Sequence, residues 1–132
     1  ICIKVNSKKG QNLVEFALVL PILLLLLLGI VDFARCFNAQ VTLTHAAREG
    51  ARYGAVTTRT NEQIQLKVTA AAAGLTLGST TIEYPTINID GQTIDMIRVT
   101  TTCSVAIIDP IIAAFFDANP ITLSATANMA LE

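Results

Sequence analysis

Between Lys9 and Asp32 the chain carries a single charge, Glu15, at the entrance of an otherwise apolar run. A carboxylate in such surroundings is tolerated only when an opposite charge or hydrogen bonds meet it. Its type and position point to ion pairing rather than to proton transfer. The other groups with reactive side chains are scattered. There is one histidine, His45, and there are three cysteines, Cys2, Cys36 and Cys103, without a CxxC spacing. No nucleophile–base spacing, glycine-rich phosphate loop or metal-ligand cluster occurs, so neither catalysis nor a metal or other cofactor is expected. Cys36 and Cys103 form a disulfide only if both lie outside the cell. The preferred reading treats them as two separate small apolar residues.

The chain is 132 residues long, 52% hydrophobic and only 14% charged, which is too apolar for an ordinary soluble domain and directs attention to a membrane or an assembly. A net charge of −1 leaves no electrostatic footprint for nucleic acid. Residues 16–31 as a helix measure about 24 Å, short of a hydrocarbon core of about 30 Å. Extending the helix back through Gln11 to Glu15 makes up the length. Lys4, Lys8 and Lys9 place the N-terminal end on the cytoplasmic side. A secretory signal peptide is the competing reading. Against it, "GIVDFARCF" offers no small-residue cleavage site, and the helical pattern continues well past the run.

That continuation, residues 32–56, contains no proline and repeats small residues every fourth position. Ala46, Gly50 and Gly54 form one row, and Ala47, Ala51 and Ala55 the next. Such rows let a second element approach the backbone closely. Pro21 removes one backbone hydrogen bond within the run, so a kink or local unwinding is expected there, with Gly29 as a second soft point. Asp32, Arg35, Arg48 and Arg52 are expected in solvent, with an inter-subunit position as the alternative.

Beyond "TTRTNEQ" a second helix, "EQIQLKVTAAAAG", is capped by Thr60 or Asn61 and ended by Gly74. From residue 80 the period changes to two. "TTIEYPTINI" reads as one strand and "TIDMIRVTTTCSVAI" as another, joined by the hairpin signal Asp90–Gly91. Ile97, Val99, Cys103, Val105 and Ile107 share a face. Residues 111–116 are a short helix or an exposed apolar loop. "ITLSATANMALE" is a half-buried third strand. The threonines of the head are read as strand formers, with glycan attachment or adhesion as the lesser alternative.

The fold class is therefore α+β: a long N-terminal hydrophobic helix, then a small head with a second helix and a three-stranded antiparallel sheet. The domains are a basic leader-like segment over 1–10, the long helix over 11–56 and the head over 57–132. The small-residue half of the helix is the natural cover for the sheet, and the N-terminal half is left protruding.

The N-terminal residues can now be taken together. Gly10 followed five residues later by Glu15 and an apolar helix resembles the class III signal of type IV pilins. Gln11, Val14, Glu15, Phe16, Ala17, Leu18 and Pro21, followed by "AAREGARYGAV", resemble more closely the TadE-like family of the tight-adherence pilus system. The resemblance covers about the first 56 residues. It implies cleavage between Gly10 and Gln11 by a prepilin peptidase and storage in the cytoplasmic membrane, N-terminus inside and head outside. It also implies a homo-oligomeric helical filament, extracellular once built by the membrane assembly machinery. Glu15, Phe16 and Pro21 are then the assembly and register residues. Leu18, Leu20, Leu24, Leu27 and Leu28 form the helix-bundle core, and Ala46, Gly50 and Gly54 pack the head. Phe115 and Phe116 are candidate subunit contacts. The alternative is a minor pilin or pseudopilin that primes or caps assembly and remains membrane-associated.

Overall fold

The computed structural model describes residues 7–56, 59–117 and 120–132. Residues 1–6, with Cys2 and Lys4, lie outside them, as do Thr57 and Thr58. The fold is α+β. Helix α1 spans Ser7–Gly54 and α2 spans Asn61–Ala71. The strands are β1 (Leu77–Glu83), β2 (Thr86–Ile89), β3 (Gln92–Val105) and β4 (Ile121–Ala130), with helix α3 (Pro110–Phe116) before the last strand.

Helix α1 is continuous through Pro21, so of the kink or local unwinding expected there the unwinding does not occur. The leucines around it are strong helix formers, and a proline removes only one rung of a ladder that its neighbours keep closed. Along α1 the burial pattern divides the helix. Positions 8–24 are all exposed. From Leu25 onward a sheltered row appears: Leu25, Gly29, Asp32, Cys36, Ala39, Leu43, Ala46, Ala47, Gly50, Ala51, Gly54. These residues recur every three or four positions, so they form one face of the helix.

The sheet has four strands rather than three, and the reason is Pro85. Glu83 lies opposite Arg98 and Thr86 opposite Asp95, so β1 and β2 hold the same register along β3. Pro85 accepts from the amide of Met96 at 2.9 Å but has no N–H to return, and the strand is interrupted there. Strand β4 pairs antiparallel with the other side of β3, from Val105–Ile121 to Met96–Ala130. The β2–β3 turn follows the Asp90–Gly91 expectation: both residues have positive φ, 49° and 83°, as a two-residue primed turn requires. Helix α2 starts at Thr60, whose hydroxyl accepts from Gln63 N–H while the Gln63 side chain accepts from Thr60 N–H. This reciprocal cap accounts for its sharp start.

The core lies between the C-terminal half of α1, α2 and the inner face of the sheet. Leu43, Ile64, Val68, Ile97, Val99 and Cys103 are its largest fully buried apolar side chains. Thr101 is buried in the same row of β3, where its hydroxyl meets that of Thr80 at 3.2 Å. Further cross-strand hydroxyl contacts join Thr100 to Thr126 and Ser79 to Thr102. The threonine abundance thus has a structural use within the sheet.

Candidate assembly helix and its junction with the head

The residues singled out for assembly lie on the exposed half of α1. Gly10, Gln11, Glu15, Phe16, Leu18, Leu20, Pro21, Leu24, Leu27 and Leu28 are all exposed. Leu28 is the most sheltered of these five leucines, at 36%. The Glu15 side chain makes no hydrogen bond or ion pair among the described residues. Among the described residues, nothing in the head covers positions 8–24, and the helix is long and apolar enough to cross a membrane. A helix exposing leucine and isoleucine on every side needs either lipid or other helices around it.

Ala46, Gly50 and Gly54 lie where the sequence spacing put them, against the head. A methyl group on Gly50 would overlap Val68 of α2, and one on Gly54 would overlap Ile97 of β3 and Ile64 of α2. Both glycines are therefore close-approach positions. The row Ala47, Ala51, Ala55 is buried as well. Glu49 reaches Lys67 at 3.9 Å, tying α1 to α2 at the surface. Arg48 and Arg52 are exposed, as expected.

Asp32 departs from expectation, whereas Arg35 is exposed as expected. Asp32 is 6% exposed rather than solvated. Its carboxylate accepts from Ile108 N–H at 3.0 and 3.2 Å and from Asp109 N–H at 2.8 Å. Arg35 stands 3.6 Å from the same carboxylate and donates from Nη1 to the carbonyl of Ala106 at 3.1 Å. Asp109, also buried, accepts from the amides of Ile111 and Ile112 and so caps α3. Asp32 is the first residue beyond the apolar run, packed against the head. The two backbone amides hold its carboxyl below the usual carboxylate range, with Arg35 adding to the effect against the cost of burial. Its partners are separated from it by most of the chain, so no local pattern announces the contact. The one sequence signal is an acid at the end of an apolar helix.

Further along the junction, Gln40 donates to the carbonyl of Ser124 at 3.1 Å, and Glu132 N–H donates to the carbonyl of Ala55 at 3.2 Å. Cys36 and Cys103 are free thiols on the head-facing side, Cys103 buried and Cys36 half-buried. Burial pushes the Cys103 thiol up, and the neighbouring Cys36 adds to this. Phe115 is 84% exposed on α3, and the side chain of Phe116 lies outside the described residues. The sequence thus located the exposed apolar half and the glycine row but missed the Asp32–Asp109 junction that joins α1 to α3.

A family model described as TadE-like protein matches residues 10–52, which is α1 from the expected processing glycine almost to the helix end. This is the family expected from the N-terminal motifs. The N-terminal third of the chain is thus pilin-like and related to the tight-adherence pilus. No curated protein and no solved structure matches the chain.

Proposed function

We propose that the chain is a structural pilin subunit, stored in the membrane through the N-terminal half of α1 and polymerised through that same half into an extracellular filament of the type IV or tight-adherence kind. The observation that supports this reading is the division of one helix. Its C-terminal half is buried in the head, and positions 8–24 are covered by none of the described residues; the TadE-like match runs through both parts, over residues 10–52. A segment apolar on all sides is stable in lipid and equally in a bundle of its own copies. A membrane-stored polymer subunit needs both. The driving term for either setting is apolar burial, about 25 cal/mol per Å².

Processing between Gly10 and Gln11 by a prepilin peptidase leaves an α-amine on Gln11. Glu15, one helical turn away, meets that amine in the same or a neighbouring subunit and sets the axial register. Without cleavage, Lys8 or Lys9 takes its place. Loss of one member of such a pair in apolar surroundings costs about 3–5 kcal/mol. Glu15→Gln is therefore expected to abolish filaments while cleavage after Gly10 continues. Normal filaments from this variant would remove the register role. N-terminal sequencing of assembled protein is expected to begin at Gln11.

The reading includes no catalytic role. One surface hollow, about 520 Å³, is lined by Arg35, Asn38, Leu75, Thr76 and Ser104 among others. The TadE-like match favours a second reading, a minor pilin or pseudopilin that primes or caps assembly and stays with the membrane. Mass spectrometry of sheared filaments separates the two: a main subunit dominates the preparation, and a minor one is scarce.

A further inference from the structure

The head does not stop where the apolar run ends. The sheltered row of α1 continues inward past Asp32 to the half-buried Gly29 and Leu25. The methyl end of Ile112 sits 3.4 Å from the position a Gly29 Cβ would take. Gly29 lies about 4.5 Å along the helix axis from Asp32, inside the run. Part of α3 is therefore at the same depth as residues that need hydrocarbon around them.

Helix α3 suits that depth in two ways. Its sequence, "PIIAAFF", contains no polar side chain. Ile111 and Phe115, one turn apart on one side of the helix, are 55% and 84% exposed, and Ile108 just before the helix is 53% exposed. On α1 at the same level, Ile30 and Phe33 are 57% and 73% exposed. The backbone at the head of α3 is also closed. The amides of Ile108 and Asp109 donate to Asp32, and those of Ile111 and Ile112 donate to Asp109. Water would satisfy these donors at no structural cost. Satisfied by carboxylates from within the chain, the same donors are also compatible with a place where water is scarce.

We propose that α3 is an interfacial element. While the chain is held in the bilayer, Ile111 and Phe115 lie among the acyl chains of the leaflet on the head side, and phospholipid is their occupant. This rests on the membrane-storage reading above. The sequence reading assigned Phe115 and Phe116 to a neighbouring subunit; the depth of α3 assigns its apolar face to lipid before assembly. The surface is continuous with that of the apolar run, so no new kind of partner is required.

The chain has no tryptophan, so Phe115→Trp or Ile111→Trp introduces a single tryptophan, excited selectively at wavelengths where the two tyrosines do not absorb. Leu66→Trp, on α2 and 70% exposed, serves as the reference. Each full-length variant is reconstituted into phosphatidylcholine–phosphatidylglycerol vesicles, with bromine placed on the acyl chains near the glycerol. Emission from position 115 or 111 is expected to be blue-shifted from that of position 66. It should also be roughly halved by the bromines, which sit at the ~5–10 Å depth an interfacial apolar face reaches. Protein that floats with the vesicles yet emits as if in water at 111 and 115 overturns the proposal and leaves the membrane reading standing. A blue shift that disappears as protein is diluted with lipid also overturns it, by showing a neighbouring copy as the occupant. Protein that fails to float overturns both.

Discussion

At Asp32 the helix that leaves the head is bonded to the head by one carboxylate. That carboxylate accepts from two consecutive backbone amides, so its ionised form is favoured in the folded chain. The sign of the pH effect follows. A depressed folded pKa contributes stability at pH above the unfolded value of about 3.9, lost as pH falls through the folded value. Protection of the Ile108 and Asp109 amides against hydrogen exchange is therefore expected to fall in acid. Asp32→Asn should lower that protection at neutral pH and remove its acid dependence. Gly50 makes a different kind of contact. A methyl group there overlaps Val68, a β-branched side chain with little freedom to rotate within α2. Overpacking costs typically 1–3 kcal/mol against the roughly 1 kcal/mol that alanine gains in a helix, so Gly50→Ala is expected to destabilise the head by about 1 kcal/mol in denaturant unfolding. The two residues were not equally legible. Gly50 stands in a four-residue repeat of small side chains, which is local information. Asp32 was read as solvated because its partners, Ile108 and Asp109, are brought to it only by the tertiary fold.

At the scale of elements the same division holds. The Asp90–Gly91 turn was legible because a primed hairpin turn demands positive φ from its two residues, and the pair that tolerates this is visible in sequence. Gly91 has nothing within 4 Å of its would-be Cβ, so Gly91→Ala is a backbone effect alone, expected to cost about 1–2 kcal/mol of thermal or denaturant stability. A neutral result would mean that the turn takes another conformation. The split of the first expected strand into β1 and β2 follows from Pro85, whose effect on hydrogen bonding was legible though the strand count was not drawn from it. The unbroken α1 is the opposite case. The local rule for Pro21 predicts an interruption, and the leucine-rich helix on either side overrides it. Helix α3 was left open between helix and loop because "PIIAAFF" has no periodic contrast. What decides it is the Asp109 cap, with Pro110 in the first turn.

For the whole molecule, one helix serves two environments, and the two halves should fail independently. Leu24 is 52% exposed and lies before the first half-buried position of the head-facing row. A lysine near the middle of a membrane helix costs about 2.5–3.5 kcal/mol on the insertion scale. Leu24→Lys is accordingly expected to shift the chain out of the membrane fraction by roughly two orders of magnitude in partition, since each 1.4 kcal/mol is tenfold. The head should be unaffected, with unchanged resistance to proteolysis. Gly50→Ala should do the reverse, loosening the head without changing membrane recovery. If Leu24→Lys also unfolds the head, the halves are energetically coupled. The contact of Ile112 with Gly29 is then the path to examine, because it is there that the head overlaps the apolar run. If Leu24→Lys leaves membrane recovery unchanged, the exposed half of α1 is not what holds the chain in the bilayer. The resemblance of α1 to TadE-like helices would then require another explanation of its all-round apolar surface.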